Sequence, residues 1–419
     1  MSAATNTEET LEGSPTAKVL PVVLFNLLVY FIIGLPNAVI GAIFVHETLG
    51  FSTAIAGMTL SLQYLGTFGT RLVAGQLVDR YGPKKILSYG LLATTISGAI
   101  MCVAALIPTL MSLTGSTRYI ALGLALLSRI FLGWGESWTA TSVTTWNIRR
   151  VGRTHTSVAI SWNGVTSYGG IALGVTVGKY LSHFMPNIGL LPVGIASAAL
   201  AFGGLALLIP FYTGVKPLPV QKGKQMSFFH ALRKVLPYGA GLAAGSFAFG
   251  TISSFLALYF SANEWTHIGR AFGIFSAVFI LGRLLFASQI DKRGGMLVAF
   301  ISLVVSALAM AIFCAFHTEL GATIGAALTG AGFSLLFPAL GTMAVKTGGA
   351  EYSGILLAAY SVFTDLTIFV VGPLMGAIQV KAGWNAMFGV VGLLCLSGIA
   401  LSTLLSRLPG SGIQPETKA

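Results

Sequence analysis

A chain of 419 residues that is 55% apolar, only 9% charged and has a mean hydropathy of +0.84 is not composed like a soluble domain, where roughly a quarter of the residues carry charge. Its formal net charge of +12 would suit nucleic acid, but the basic residues are scattered among short polar segments instead of gathering on one folded surface. Cys102, Cys314 and Cys395 each fall inside an apolar run, so a disulfide framework and a cysteine metal site are both excluded.

Twelve apolar runs, about 19–45, 53–76, 86–111, 119–147, 156–182, 187–212, 237–262, 270–290, 296–316, 320–345, 353–380 and 384–406, reach the length needed to cross a bilayer. The expected fold is therefore all-α and integral to the membrane, with twelve transmembrane helices. The first run is too long for a signal-peptide core and lacks a small-residue cleavage site, so it reads as a retained span behind a polar tail, 1–18. With that tail inside, seventeen Lys and Arg lie in the inner loops and tails, and the outer loops hold Arg118, Lys179, Arg270 and Lys381. Lys/Arg asymmetry of this kind places both termini in the cytoplasm.

In chain order, the first run carries Asn26 and Asn37 and the second Gln63 and Arg71. The second ends in Gly75-Gln76-Leu77-Val78-Asp79-Arg80-Tyr81-Gly82-Pro83-Lys84-Lys85. In the fourth, Arg129 and Glu136 stand seven residues apart, on one helix face and ~10 Å apart along the axis, so they need not touch. The fifth holds Gly170, Gly174 and Gly178, a small-residue ladder that lets helices pack closely and rock. Polar segment 213–236 divides bundle 19–212 from bundle 237–407, and 408–419 forms a cytoplasmic tail. The eighth run repeats the pattern of the second, with Arg283, Asp291 and Gly294 standing 212 residues after Arg71, Asp79 and Gly82. The eleventh holds Asp365, flanked by Thr364 and Thr367, then Gly372-Pro373-Leu374-Met375-Gly376. A parallel repeat of six-helix halves around a midplane site is a transporter architecture.

The loop motif resembles the signature between the second and third helices of the major facilitator superfamily. Arg129-Ile130-Phe131-Leu132-Gly133-Trp134-Gly135 is similar to that superfamily's fourth-helix motif. With the twelve runs, the resemblance covers essentially the whole chain and points within the superfamily toward bacterial drug and sugar efflux permeases of the arabinose-efflux type. It implies a multi-pass protein of the bacterial inner membrane that couples protons to efflux of a drug, sugar or metabolite by alternating access. The family's antiporter signature places Gly-Pro in the fifth helix; here that proline is absent and Gly-Pro stands in the eleventh, which favours proton-coupled uptake.

The loop reads as a latch for the state closed to the cytoplasm. Asp79 accepts from helix termini and basic side chains, Gly75 allows close approach, Gly82-Pro83 makes a tight turn, and Arg80, Lys84 and Lys85 complete the set with Arg71, Arg283 and Asp291. The alternative is that the basic residues only anchor to lipid headgroups, and Arg71 and Arg283 near span ends would snorkel or gate. Buried ionisable groups are costly and functional by default. The resemblance makes Arg129 the proton-transfer arginine and Glu136 the carboxylate that binds and releases the proton; a structural clamp between helices is the other reading. Asp365 is open between a second proton site, a cation-binding group and an interhelical hydrogen-bond partner.

Candidate substrate contacts are Asn26, Asn37, Gln63, Trp138, Trp162, Asn163, Tyr168, Phe255, Tyr259 and Tyr360, a mixture suited to a partly apolar or sugar-like molecule. Aromatics at helical spacing such as Phe255 and Tyr259 more often pack between helices or face lipid.

No enzymatic chemistry is indicated. Gly135-Glu136-Ser137-Trp138-Thr139 lacks the final glycine of a nucleophile elbow, no phosphate-binding loop occurs, and His46, His155, His183, His230, His267 and His317 are not spaced for a metal. No cofactor is expected. The partners are a small-molecule substrate, protons and the bilayer, and a monomer suffices because one chain encloses the pathway. A non-transporting membrane sensor on the same scaffold is the alternative from another class, disfavoured because a sensor has no need of a titratable carboxylate in lipid.

Overall fold

A computed structural model describes residues 14–111, 115–151, 156–185, 189–210, 226–286, 288–347 and 353–406. Among these every regular element is helical: α1 (Pro15–Gly34), α2 (Thr53–Tyr81), α3 (Pro83–Leu110), α4 (Gly115–Val151), α5 (Thr156–Phe184), α6 (Leu190–Leu208), α7 (Phe228–Ala262), α8 (Ile268–Phe286), α9 (Ser288–Arg293), α10 (Gly295–Ala315), α11 (Glu319–Lys346) and α12 (Ser353–Ser406), with a π-helical segment Ile40–Thr48 after α1. Nine helices are long and apolar enough to cross a membrane among the described residues. Helices α2 and α5, each 29 residues long, are outside the nine. The stretch labelled α12 is two helices joined at Gly383, whose φ 84° and ψ 177° are non-helical, and these match the expected runs 353–380 and 384–406.

Several element ends depart from the apolar runs for local reasons. The Ser14 hydroxyl accepts from Ala17 N at 3.3 Å and Pro15 takes the first turn, so α1 starts inside the expected tail. Ser227 caps α7 in the same way through His230 N, and the helix begins nine residues before the apolar run does. The first run does not stay one α-helix. It breaks after Gly34, passes through a turn over 35–39 and resumes in the π segment, with Leu35, Val39 and Ile40 fully buried.

The repeat is visible in the backbone. Gly82 joins α2 to α3 as a single residue at φ 84°, ψ 151°, and Gly294 joins α9 to α10 at φ 84°, ψ 144°. Only glycine adopts this region without strain, and Pro83 fits the first position of the helix that follows.

By their contacts, α1 to α6 pack mainly with one another and α7 to α12 do likewise; α2 against α12 and α5 against α8 are the main contacts between the two sets. Inside the first set, the α5 ladder lies on the backbone of α1. A Cβ at Gly170 would stand 2.8 Å from Leu27 O and Phe31 N, one at Gly174 would meet Gly34 Cα at 2.9 Å, and one at Gly178 would meet Leu35 Cα at 2.9 Å. Backbone atoms cannot swing aside as side-chain tips do. Gly174→Val is therefore expected to cost at least about 1–3 kcal/mol as overpacking. Thermal unfolding in detergent checks this against Gly203→Ala, where the new Cβ meets nothing within 4 Å; equal melting temperatures would contradict it.

Candidate functional site

At the end of the bundle that carries the π segment, side-chain hydrogen bonds join the two sets. Thr53 Oγ1 donates to Gln379 Oε1 at 2.6 Å, and Ser261 Oγ donates to Glu47 Oε1 at 2.7 Å. Glycines let α2 and α12 meet here: a Cβ at Gly372 would lie 2.7 Å from Gly57 O, and one at Gly376 would lie 2.7 Å from Ala54 Cα. Pro373 sits between these two contacts in the helix.

Phe255 is fully buried, and its ring fills the space that a Cβ on Gly57 would need. Tyr259, 2% exposed, packs with Trp265, Phe313, Trp384 and Phe388. Tyr360 donates to Phe337 O at 3.0 Å and lies against Gly341. All three pack between helices in this conformation.

The centre is polar. Glu136 on α4 is 5% exposed, and its Oε2 accepts from Gln63 Nε2 at 2.7 Å and from Thr67 Oγ1 at 3.0 Å, both on α2. The helices approach because Gly133, one turn before Glu136, lies on the α2 backbone; a Cβ there would stand 2.7 Å from Thr67 N. Arg129 is 1% exposed and turns the other way, its Nη2 donating to Asn37 Oδ1 at 3.1 Å. Two turns of α4 thus separate the acid and the base, and each has its own partner. Thr67 was passed over by the sequence reading, although Gln63 and Thr67 form an i, i+4 polar pair on one face of α2. Tyr30 and Tyr64, also passed over, lie within electrostatic reach of Glu136.

Asn26 clamps α1 to α5, its Nδ2 donating to Asn163 O at 3.2 Å, Thr166 Oγ1 at 3.0 Å and Ser167 Oγ at 2.8 Å. The Asn163 side-chain oxygen remains buried without a partner. Trp162 packs on the apolar cluster that α1 forms with α3, α4 and α6. Trp138 joins Trp134 and Tyr89 at ring separations of 6.3 and 6.4 Å. Two residues along a helix is about 200° around it, so this stripe lies on the face of α4 opposite Glu136. Tyr168 on α5 meets Phe249, Phe279 and Phe333 at 5.5, 4.2 and 6.0 Å, joining α5 to α7, α8 and α11.

Both repeat arginines turn toward a helix of the other set. Arg71 Nε lies 2.6 Å from Asp365 Oδ2, and its Nη2 donates to Oδ1 at 3.4 Å; the two side chains are 15% and 6% exposed. Asp365 is thus the ion-pair partner of an arginine from the other helix set. Arg283 is 5% exposed, sits over the Phe279 ring at 6.0 Å and presses its guanidinium on α5 at Gly164, where a Cβ would fall 2.5 Å from Cζ.

The loop motif is only partly on view. The side chains of Asp79 and Asp291 lie outside the described residues. Lys84 Nζ donates to Ile209 O at 3.0 Å and so caps the end of α6, a favourable place for a cation. Arg80 Cζ and Lys85 Nζ each stand 5.2 Å from the Tyr81 ring, on opposite sides of the Gly82 turn in sequence. Gly75 does not sit in a close helix contact in this conformation, since a Cβ there meets nothing within 4 Å.

A helical membrane bundle with repeated α2–α3 and α9–α10 turns, and with buried charges between its two helix sets, has the form of a membrane carrier. The chain belongs to the Major Facilitator Superfamily, whose family model matches residues 22–371 and 266–419. It is 40% identical over 403 residues to an uncharacterized MFS-type transporter of Burkholderia mallei strain SAVP1, covering 95% of each chain. It is 38% identical over 408 residues to another of Pseudomonas aeruginosa strain UCBPP-PA14, covering 96% and 97%. Among solved structures it resembles the human organic anion transporter MFSD10 (TETRAN) with a TM-score of 0.67 at 15% identity, over 93% of this chain and all of that one. The protein is thus a multi-pass membrane protein of a transporter family.

Proposed function

We propose that this protein is a proton-coupled secondary transporter that expels a small organic molecule, of the drug, sugar or metabolite kind, by alternating access. In this reading twelve spans form two six-helix halves with both termini in the cytoplasm, in a bacterial inner membrane, and one chain is the working unit. Glu136 carries the argument: a buried carboxylate whose side-chain hydrogen-bond donors are a neutral amide and a hydroxyl, with Arg129 held apart by Asn37. Neutral donors tolerate both protonation states, whereas a direct ion pair would oppose protonation. With the basic loops inside, the end joined by the Thr53–Gln379 and Ser261–Glu47 bonds is the outer one.

Uptake with protons is the second reading, favoured by the absence of the Gly-Pro pair from α5 and its presence at Gly372-Pro373 in α12. Acid-loaded everted vesicles carrying a pH-sensitive dye decide between the two. Export predicts proton release when one compound class of a drug, sugar and metabolite panel is added. Proton movement only when compound and proton enter the vesicles' cytoplasmic face from the lumen would favour uptake, and no proton movement with any compound would oppose both.

Asp79→Asn is expected to slow turnover several-fold while leaving substrate affinity within about twofold, because the latch acts on the exchange between states and not on the site. An unchanged transport rate would contradict the latch.

A further inference from the structure

The repeat places Arg71 and Arg283 at equivalent positions 212 residues apart, and each reaches across to a helix of the other set. Arg71 finds the carboxylate of Asp365 on α12; Arg283 finds Gly164 on α5, which has no side chain to offer. Among the described residues the core of the spans holds three arginines, Arg71, Arg129 and Arg283, against two carboxylates, Glu136 and Asp365, so one cation is uncompensated when both acids are ionised (3 − 2 = 1). Asp365 neutralises Arg71, and Glu136 stands two turns from Arg129 on the same helix. Arg283 is the one with neither an ion pair nor a hydrogen bond, although it is 5% exposed.

A largely buried guanidinium without an anion is costly, and the planar fork of Arg283 matches a carboxylate in two-pronged geometry; Arg129, whose Nε and Nη1 are buried without a partner, at least has its Nη2 bonded to Asn37. Beside it, Tyr168 and Phe279 meet at 4.2 Å and supply an apolar wall.

We infer that Arg283, facing the bare backbone of Gly164, is the anchor of a site for a small organic monoanion with an apolar body, whose acid group takes the place that Asp365 fills at the equivalent position. The inference rests on the transporter reading and narrows its substrate class. An anion held there bridges α8 and α5 and so binds both helix sets at once.

Binding to the full chain in lipid nanodiscs tests it, with benzoate and decanoate as probes against their neutral amides and against benzylamine. The expected result is saturable binding of at least one carboxylate, no binding of its amide or of the amine, a tenfold or greater loss of affinity in Arg283→Gln and partial retention in Arg283→Lys. Gly164→Asp is expected to weaken the carboxylate as well, by supplying an internal acid; the nearest atoms to its Cβ are those of the flexible Arg283 tip. This variant and Arg283→Lys decide the matter if Arg283→Gln does not fold. No carboxylate bound by the wild type, equal binding of the amides, or unchanged affinity in folded variants would overturn the proposal. Proton release driven by a neutral or cationic compound and indifferent to Arg283 would overturn it while leaving transport intact. Arg283-dependent carboxylate binding without proton movement would support the site and remove only the coupling.

Discussion

Glu136→Gln is expected to abolish gradient-driven transport while leaving substrate binding within about twofold. The glutamine side chain has the size of the glutamate and can still offer an oxygen to Gln63 Nε2 and Thr67 Oγ1, whose bonds of 2.7 and 3.0 Å tie α4 to α2. It cannot exchange a proton. If Glu136 is only a clamp, the substitution removes the charge from two hydrogen bonds, each worth about 1.5–3 kcal/mol with a charged partner and about 1 kcal/mol without. A clamp therefore predicts lower stability with rates preserved, whereas coupling predicts rates lost with the fold preserved. Comparing melting temperature with net flux separates the two outcomes.

Asp365→Asn is expected to cost about 3 kcal/mol of stability, near the lower end of the range for breaking a buried pair, because Arg71 keeps some exposure through which water can screen it. Arg71→Gln alone should cost a similar amount by leaving the carboxylate unpaired, and the double variant should recover most of the loss. A double-mutant cycle in denaturant measures the coupling directly. Energies that add to within about 0.5 kcal/mol would mean that the 2.6 Å contact joining α2 to α12 contributes nothing, and that Asp365 serves one of its other roles.

The sequence made the all-helical membrane character legible because apolar runs of bilayer length are an unambiguous pattern, and the repeat was legible because Gly82 and Gly294 need one backbone conformation. Helix ends were less so. The serine caps at Ser14 and Ser227 extend α1 and α7 into polar sequence that hydropathy treats as loop. The π segment also left no mark, since it opens within the same apolar run, at Ile40 to Val45.

At the site, the single residues were legible and their pairings were not. Asp365 and Arg71 are 294 positions apart, and only the packing of α2 on α12 brings them together. Arg283 was read as a snorkelling or gating residue because it falls near the end of an apolar run. The glycine at position 164 is what admits it to the interior, and a glycine's neighbours cannot be read from its own identity. For the aromatic positions the packing partners were not legible: Phe255 lies against Gly57 and Tyr360 against Gly341, while Tyr259 sits among Trp265, Phe313, Trp384 and Phe388.

The claim that Glu136 carries the coupling proton is tested most directly in proteoliposomes, with substrate counterflow and gradient-driven net transport recorded side by side for the wild type and Glu136→Gln. Counterflow needs only the exchange of loaded states, while net transport needs the proton to be released. The account predicts that Glu136→Gln keeps counterflow near the wild-type rate and loses net transport; net transport at the wild-type rate under a proton gradient would contradict it.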